Sequence, residues 1–253
     1  MTNAFAKNLQ TIHDKIQKSS QQYAQKNNIK SHNIKLIAVS KYHSTNEILA
    51  LHKLGQCDFG ENKVQDLKQK IDEIHKLEPC QNVAYQSISQ HPQKTHQTTQ
   101  IKWHFIGSLQ KNKINALLAL KPTLIHSIDS ISLAKALNDR CAKLGIIQNA
   151  LLQVNSANEP SKHGFSLSQA KEAFLEIKLS TTHLNLCGIM TIGAHSEDIG
   201  KINESFARTK ELYDSLASAG ASVLSMGMSG DFELAIQNGA NMLRIGSALF
   251  NTK

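Results

Sequence analysis

Lys41 closes an apolar, β-branched run, Ile34-Lys35-Leu36-Ile37-Ala38-Val39-Ser40-Lys41. Such a run between polar flanks reads as a buried strand, covered on both faces as in a parallel sheet. A lysine where that strand emerges, half in the apolar core, is partly desolvated, which disfavours the ammonium and lowers its pKa. The neutral amine is a nucleophile whose natural partner is an aldehyde or ketone, giving a Schiff base. The plain alternative is a solvated lysine opening a loop. Near the other end of the chain, Ser225-Met226-Gly227-Met228-Ser229-Gly230-Asp231 is a glycine-containing turn running into a helix, with Ser229 its expected N-cap. Backbone N–H groups at a helix start bind phosphate, and Gly246 and Ser247 can add donors. Either turn alone reads as ordinary turn chemistry; their joint position points to phosphate. Arg244 is one of only three arginines and lies inside an apolar strand, where a guanidinium needs an acceptor; a surface ion pair is the plain alternative.

The elements that must position these residues follow a regular rhythm. Residues 3–27 carry Phe5, Leu9, Ile12 and Ile16 in one stripe, an amphipathic helix in front of everything else. After the Lys41 strand come a short helix stopped by Gly55, a strand at 57–60, and a helix with Val64, Leu67, Ile71 and Ile74 on one face. Further strands are expected at 101–106, 123–128, 150–154, 184–190, 223–226 and 242–245, with helices between them at 110–120, 131–144, 166–177, 199–216 and 230–238. Eight strands, each followed by a helical segment, predict a parallel sheet closed into a single (β/α)8 TIM barrel with an extra N-terminal helix, one domain over residues 1–253. GxGxxG and P-loop patterns are missing, which lowers the open-sheet option. Residues 78–100 break the rhythm with Gln, His, Thr, Ser and Pro92 and read as a polar loop insertion. It joins a helix to the following strand, so it is expected on the face opposite the site and not as a catalytic lid.

In such a barrel the site is built at the C-terminal ends of the strands. Those ends bring Lys41, Asn62, Gly107, Ser127 with Asp129, Asn155, Thr191, the 225–229 turn and the 244–247 turn into a polar ring around one lysine. Loops after the last two strands are where barrels commonly hold phosphate. A Schiff-base lysine, a phosphate cradle and an arginine in one barrel describe pyridoxal 5′-phosphate (PLP). Sites for this cofactor pair the lysine with an Asp or Arg at the pyridine nitrogen. An arginine there donates and keeps the nitrogen unprotonated, which favours modest chemistry or none.

The chain resembles the pyridoxal phosphate homeostasis protein family, single-barrel relatives of the alanine racemase N-terminal domain. The resemblance rests on AVSK at 38–41, FGEN at 59–62, WHFIGSLQKNK at 103–113, HSID at 126–129, QVN at 153–155, SKHG at 161–164, GIMTIG at 188–193, SMGMSGDFELAI at 225–236 and LRIG at 243–246. These run in the family's order over nearly the whole chain. The resemblance implies a covalent PLP imine at Lys41, Arg244 at the pyridine nitrogen, Ser229, Gly246 and Ser247 at the phosphate, and Asn62 and Met226 lining the ring, with Ser225 as a further contributor. It implies a PLP-binding regulator that limits the free aldehyde and passes it to PLP-dependent apoenzymes. Two departures stand out: the long 78–100 loop, and Leu249-Phe250-Asn251 where the family often ends in LFG.

The first alternative is a PLP-dependent amino-acid racemase of low activity. Two-base racemisation needs an acid/base group on each face of the substrate, and alanine racemases bring a tyrosine from a second domain and a partner subunit. Here the chain is expected to end with the barrel, and of Tyr23, Tyr42, Tyr85 and Tyr213 only Tyr42 is near the site. A Schiff-base aldolase is a second alternative, disfavoured by the first-strand lysine and a ring poor in carboxylates. A net charge of +8 invites nucleic acid, but the lysines are spread and no dense basic run occurs. Cys57, Cys80, Cys141 and Cys187 form no CxxC, and the twelve histidines form no HExxH, so no metal is expected. With no signal core and no membrane-length apolar run, the expectation is a cytoplasmic monomer that binds neither membrane nor nucleic acid.

Overall fold

The apolar run ahead of Lys41 forms the strand β1 (Lys35–Val39), and its alternation sets the architecture. Ile37 points into the barrel, where it packs with Leu124, Leu151, Met190 and Met242. Leu36 and Ala38 face outward into the larger apolar layer beneath the helices. Both faces of every strand are therefore covered, as a parallel sheet requires.

The computed structural model describes residues 2–77, 100–157, 159 and 162–251. Helix α1 (Thr2–Lys26) precedes β1. There follow α2 (Thr45–Lys53), β2 (Asp58–Glu61), α3 (Val64–Leu77), β3 (Lys102–Phe105), α4 (Ile114–Ala119), β4 (Leu124–Ile128), α5 (Ile131–Leu144) and β5 (Gln148–Asn155). The second half contains β6 (Phe165–Ser166), α6 (Leu167–Ser180), β7 (Leu184–Thr191), α7 (Ile199–Ser215), β8 (Val223–Ser225), α8 (Phe232–Gln237), β9 (Met242–Ile245) and α9 (Ser247–Phe250). Strand order is β4-β3-β2-β1-β9-β8-β7-β5, and β5 pairs back onto β4, which closes eight parallel strands into the expected (β/α)8 barrel. The two-residue β6 pairs only with the end of β5 and was not foreseen.

Local chemistry accounts for the helix boundaries. Ser44 and Glu47 form a capping box at the start of α2. The Ser130 hydroxyl accepts the Leu133 N–H at the start of α5, and Gly145 ends that helix in the left-handed region. Ser166 stands at the N-cap of α6 without a capping bond; its hydroxyl is engaged by Ser168 and Gln169 instead. The stripe Phe5, Leu9, Ile12 and Ile16 is buried, and α1 lies against α8 and α9. Phe5 meets Phe250 edge-on at 5.9 Å between ring centroids, while Asn8 Nδ2 donates to the carbonyls of Leu249 and Asn251. The front helix thus clamps the one-turn helix that follows the last strand, and Leu249-Phe250-Asn251 is well packed.

The polar insertion expected at 78–100 lies outside the described residues except for Gln100, as does Cys80. Cys141 is buried, and Cys57 and Cys187 are half-buried. Among the described residues, no helix is long and apolar enough to cross a membrane.

Candidate functional site

A cavity of about 710 Å³ opens at the C-terminal ends of the strands, within the usual size range for small-ligand sites. It is lined by Lys41, Asn62, Ser229, Arg244, Gly246 and Ser247, six of the seven residues expected there. Met226 is the exception: it is fully buried in the outer apolar layer. Successive strand residues face opposite sides. Because Ser225 points into the barrel to meet Arg244, Met226 must point out toward the helices. Met190 and Met228 line the pocket instead.

Lys41 is held by a turn. β1 ends at Val39, and the Ser40 carbonyl accepts the His43 N–H at 3.0 Å across Lys41 and Tyr42. Tyr42 has φ +70°, in the left-handed region that a side chain occupies at a cost of about 1–2 kcal/mol. The Ser40 carbonyl also accepts from Lys70 Nζ at 2.7 Å, and the Ser40 hydroxyl donates to Glu61 Oε1 at 2.6 Å. Lys70 Nζ and Glu61 Oε1 are themselves 2.6 Å apart, and both residues are buried. Lys41 itself is exposed, with Nζ 5.7 Å from the centre of the Tyr42 ring. The half-buried lysine inferred from the apolar run is therefore corrected: the strand stops two residues earlier, and the exposed amine stands at the pocket rim.

Opposite it, the two closing turns meet. Ser229 does not cap α8. That helix begins at Phe232 behind Asp231, whose carboxylate accepts the Met228 N–H at 2.6 Å. The Ser229 hydroxyl instead reaches across to the turn after β9, accepting the Gly246 N–H at 3.3 Å and the Ala248 N–H at 3.2 Å. One oxygen thus sits on two converging backbone donors, the arrangement an anion would use.

Arg244 is buried among the strands. Its Nη1 donates to Ser225 Oγ and its Nη2 to the Thr191 carbonyl, both at 2.8 Å. Burial presses the guanidinium down to about 10 against the pull of Asp231, so it remains a cation at neutral pH. Asn62 presents a buried Oδ1 with no hydrogen-bond partner among the described residues. Gly107 lets the chain after β3 come close enough to seat it, since a Cβ at 107 would fall 2.0 Å from the Asn62 carbonyl oxygen.

Sequence reasoning missed Glu61 and Lys70. The available signal was a lysine inside the apolar stripe of α3, three residues after buried Leu67. It also missed His104 and His126, which stand inside the barrel behind Ser225.

Comparison with known proteins follows this geometry. A family model described as alanine racemase, N-terminal domain, matches residues 2–253. The pyridoxal phosphate homeostasis protein of Helicobacter pylori (strain ATCC 700392 / 26695) is 47% identical over 236 residues, 93% of either chain. PipY of Synechococcus elongatus PCC7942, solved with PLP bound, superposes with a TM-score of 0.76 at 26% identity, over 98% of this chain and 100% of that one. An alanine racemase of Clostridium difficile 630 gives a TM-score of 0.66 at 16% identity, over 87% of this chain and 53% of that one, a likeness of fold alone.

Proposed function

The chain belongs to the alanine racemase N-terminal domain family and, within it, to the pyridoxal phosphate homeostasis proteins; on that premise we propose that it binds PLP in the cytoplasm and holds it covalently at Lys41. It would thereby limit the free aldehyde and pass it to apoenzymes, acting as a monomeric carrier. One observation carries the reading: a single pocket gathers an amine, a pair of converging backbone donors, a buried guanidinium and an unpartnered amide oxygen. That donor set fits a flat, anionic aldehyde.

The bound cofactor supplies the electrophilic aldehyde carbon; the protein supplies everything else. Lys41 brings the amine on a turn braced by Lys70 and Glu61. Ser229, Gly246 and Ser247 would grip the phosphate, with the Gly246 and Ala248 N–H groups turning from Ser229 Oγ to the stronger acceptor. Asn62 Oδ1 would gain its missing partner from the ring substituents, and Met190 and Met228 would cover the ring where Met226 was expected. Arg244 would donate to the ring nitrogen without giving up its proton, which leaves the ring a weak electron sink. That supports holding over turnover.

The test is an absorption spectrum of the purified protein soaked in PLP, followed by borohydride reduction and peptide mapping. A visible band and a cofactor mass on the Lys41 peptide are expected, with both lost in Lys41→Ala. A protein that stays colourless, or a label on another lysine, rejects the reading. Robust loss of chirality in alanine on long incubation would favour a racemase instead.

A further inference from the structure

Behind Arg244 a buried line of polar side chains crosses the barrel to its opposite face. Arg244 Nη1 donates to Ser225 Oγ at 2.8 Å, and Ser225 Oγ lies 3.3 Å from His126 Nδ1. His126 Nε2 lies 3.2 Å from His104 Nδ1, and His104 Nε2 is 2.8 Å from Asp58 Oδ1. Ser225, His126 and His104 are at most 1% exposed. Asp58 is the first residue of β2, at the N-terminal end of the barrel. There it lines a second cavity, of about 600 Å³, with His13, Lys35 and Asn241.

With both rings neutral, donor rules fix the direction of the bonds in this line. An arginine can only donate, so Ser225 Oγ accepts from it and has its own proton left to give. An ionised carboxylate can only accept, so His104 Nε2 carries the proton that faces Asp58. His104 is neutral, because burial pulls its pKa down more strongly than the bond to Asp58 raises it. Its Nδ1 is then an acceptor, so His126 Nε2 must carry a proton. His126 is neutral too, held well below the ordinary histidine value chiefly by burial, with the Arg244 charge acting the same way. Its Nδ1 therefore accepts, and the Ser225 hydroxyl has one place to donate. The deductions from the two ends meet at Ser225 without conflict. Every bond runs the same way, out of the cation and into the anion.

We propose that Asp58, acting through His104, His126 and Ser225, sets the hydrogen-bond polarity at Arg244, so that a residue on the far face of the barrel positions the guanidinium of the pocket. With both rings in the Nε2–H form, Ser225 turns a lone pair to Arg244 and its proton away. With the rings reversed, His126 would also donate to Ser225, leaving the hydroxyl proton buried beside a cation. Asp58 selects between the two as the only anion in the line. Asp58 is thus a positioning residue, and its effect on ligand binding rests on the PLP reading. The polarity itself does not.

The experiment uses the full-length protein, labelled with nitrogen-15 and free of ligand, with long-range NMR correlations on the imidazole nitrogens. Both rings are expected neutral and protonated on Nε2 at neutral pH, a reading that needs no substitution at all. A cationic ring, or a proton on Nδ1, overturns the proposal. In Asp58→Asn the signals of both rings and of the Arg244 guanidinium should move together, whereas Lys135→Gln, whose exposed side chain pairs with Glu176 on the helical shell, should leave them in place. In Ser225→Ala the Arg244 signals should no longer respond to Asp58→Asn; a response that persists also overturns the proposal. With PLP as the added probe, Asp58→Asn should bind roughly threefold to tenfold more weakly, the scale of about one net hydrogen bond. If the unsubstituted protein failed to bind PLP, that would strike the cofactor reading alone, while the ring protonation would still decide the polarity.

Discussion

At the scale of single residues, the turn that carries Lys41 depends on two buried charges outside the pocket lining. Lys70 and Glu61 form a buried ion pair at 2.6 Å, and both hold Ser40, one residue before Lys41. A buried pair gains little over well-packed apolar residues, but losing one partner leaves an uncompensated charge and costs about 3–5 kcal/mol. Lys70→Met should therefore lower unfolding free energy in urea by about that range. The double variant Lys70→Met/Glu61→Gln should recover at least half of the loss. Additive losses in this cycle would mean that the two side chains are not energetically coupled, and the bracing of the Lys41 turn would lose its support. Glu61 Oε2 is buried without a partner among the described residues, so the acid relies all the more on Lys70 for compensation.

At the scale of elements, the turn between β8 and α8 does the most positioning with the fewest residues. Gly227 sits at φ +97°, and a Cβ there would lie 2.7 Å from the Ala235 Cβ. Gly227→Ala must therefore strain the backbone and push α8 off the barrel, at a cost of about 2–4 kcal/mol. Because Ser229 rides on this turn, PLP titration of the folded variant should also show weaker binding; unchanged affinity would detach the turn from the site. This turn also shows where the sequence was legible. Apolar runs, glycine stops and helical stripes announce elements through local chemistry, so the eight-strand alternation and the front helix could be read before any coordinates. The glycine turn announced itself for the same reason. Its inner workings did not, because Ser229 takes its partners from the turn after β9 rather than from its own helix. His104 and His126 were hidden for a related reason. A histidine in a strand says nothing about its neighbours until register places it. Once β3 and β4 pair with His104 opposite Leu124, the alternation turns both rings into the barrel.

At the scale of the whole molecule, a barrel usually packed with branched apolar side chains has given part of its interior to an ordered polar line, and this exposes its stability to pH. His104 and His126 are held below the ordinary histidine value of 6.5, chiefly by burial, and His32 is lowered as well. The unfolded chain takes up protons on these rings near that ordinary value, while the folded chain refuses them. Unfolding therefore binds protons, and stability must fall as pH drops below 6.5 toward the folded values. Each ring contributes a slope of at most about 1.4 kcal/mol per pH unit. Depressed carboxylates, among them Asp58 and Glu47, act in the same direction but in a lower window, as pH falls through the acid range. Urea midpoints measured downward from pH 7.5 should hence decline in two stages, the first governed by histidine. His126→Gln should flatten that first stage by about one proton's worth of slope and leave the acid stage in place; His104→Gln, should the first variant fail to fold, should flatten the first stage alike. A midpoint that stays level from neutrality down to the carboxylate range would show that the folded barrel accepts protons on these rings as readily as the open chain does, and the polar line could not then be the neutral, directional array its geometry requires.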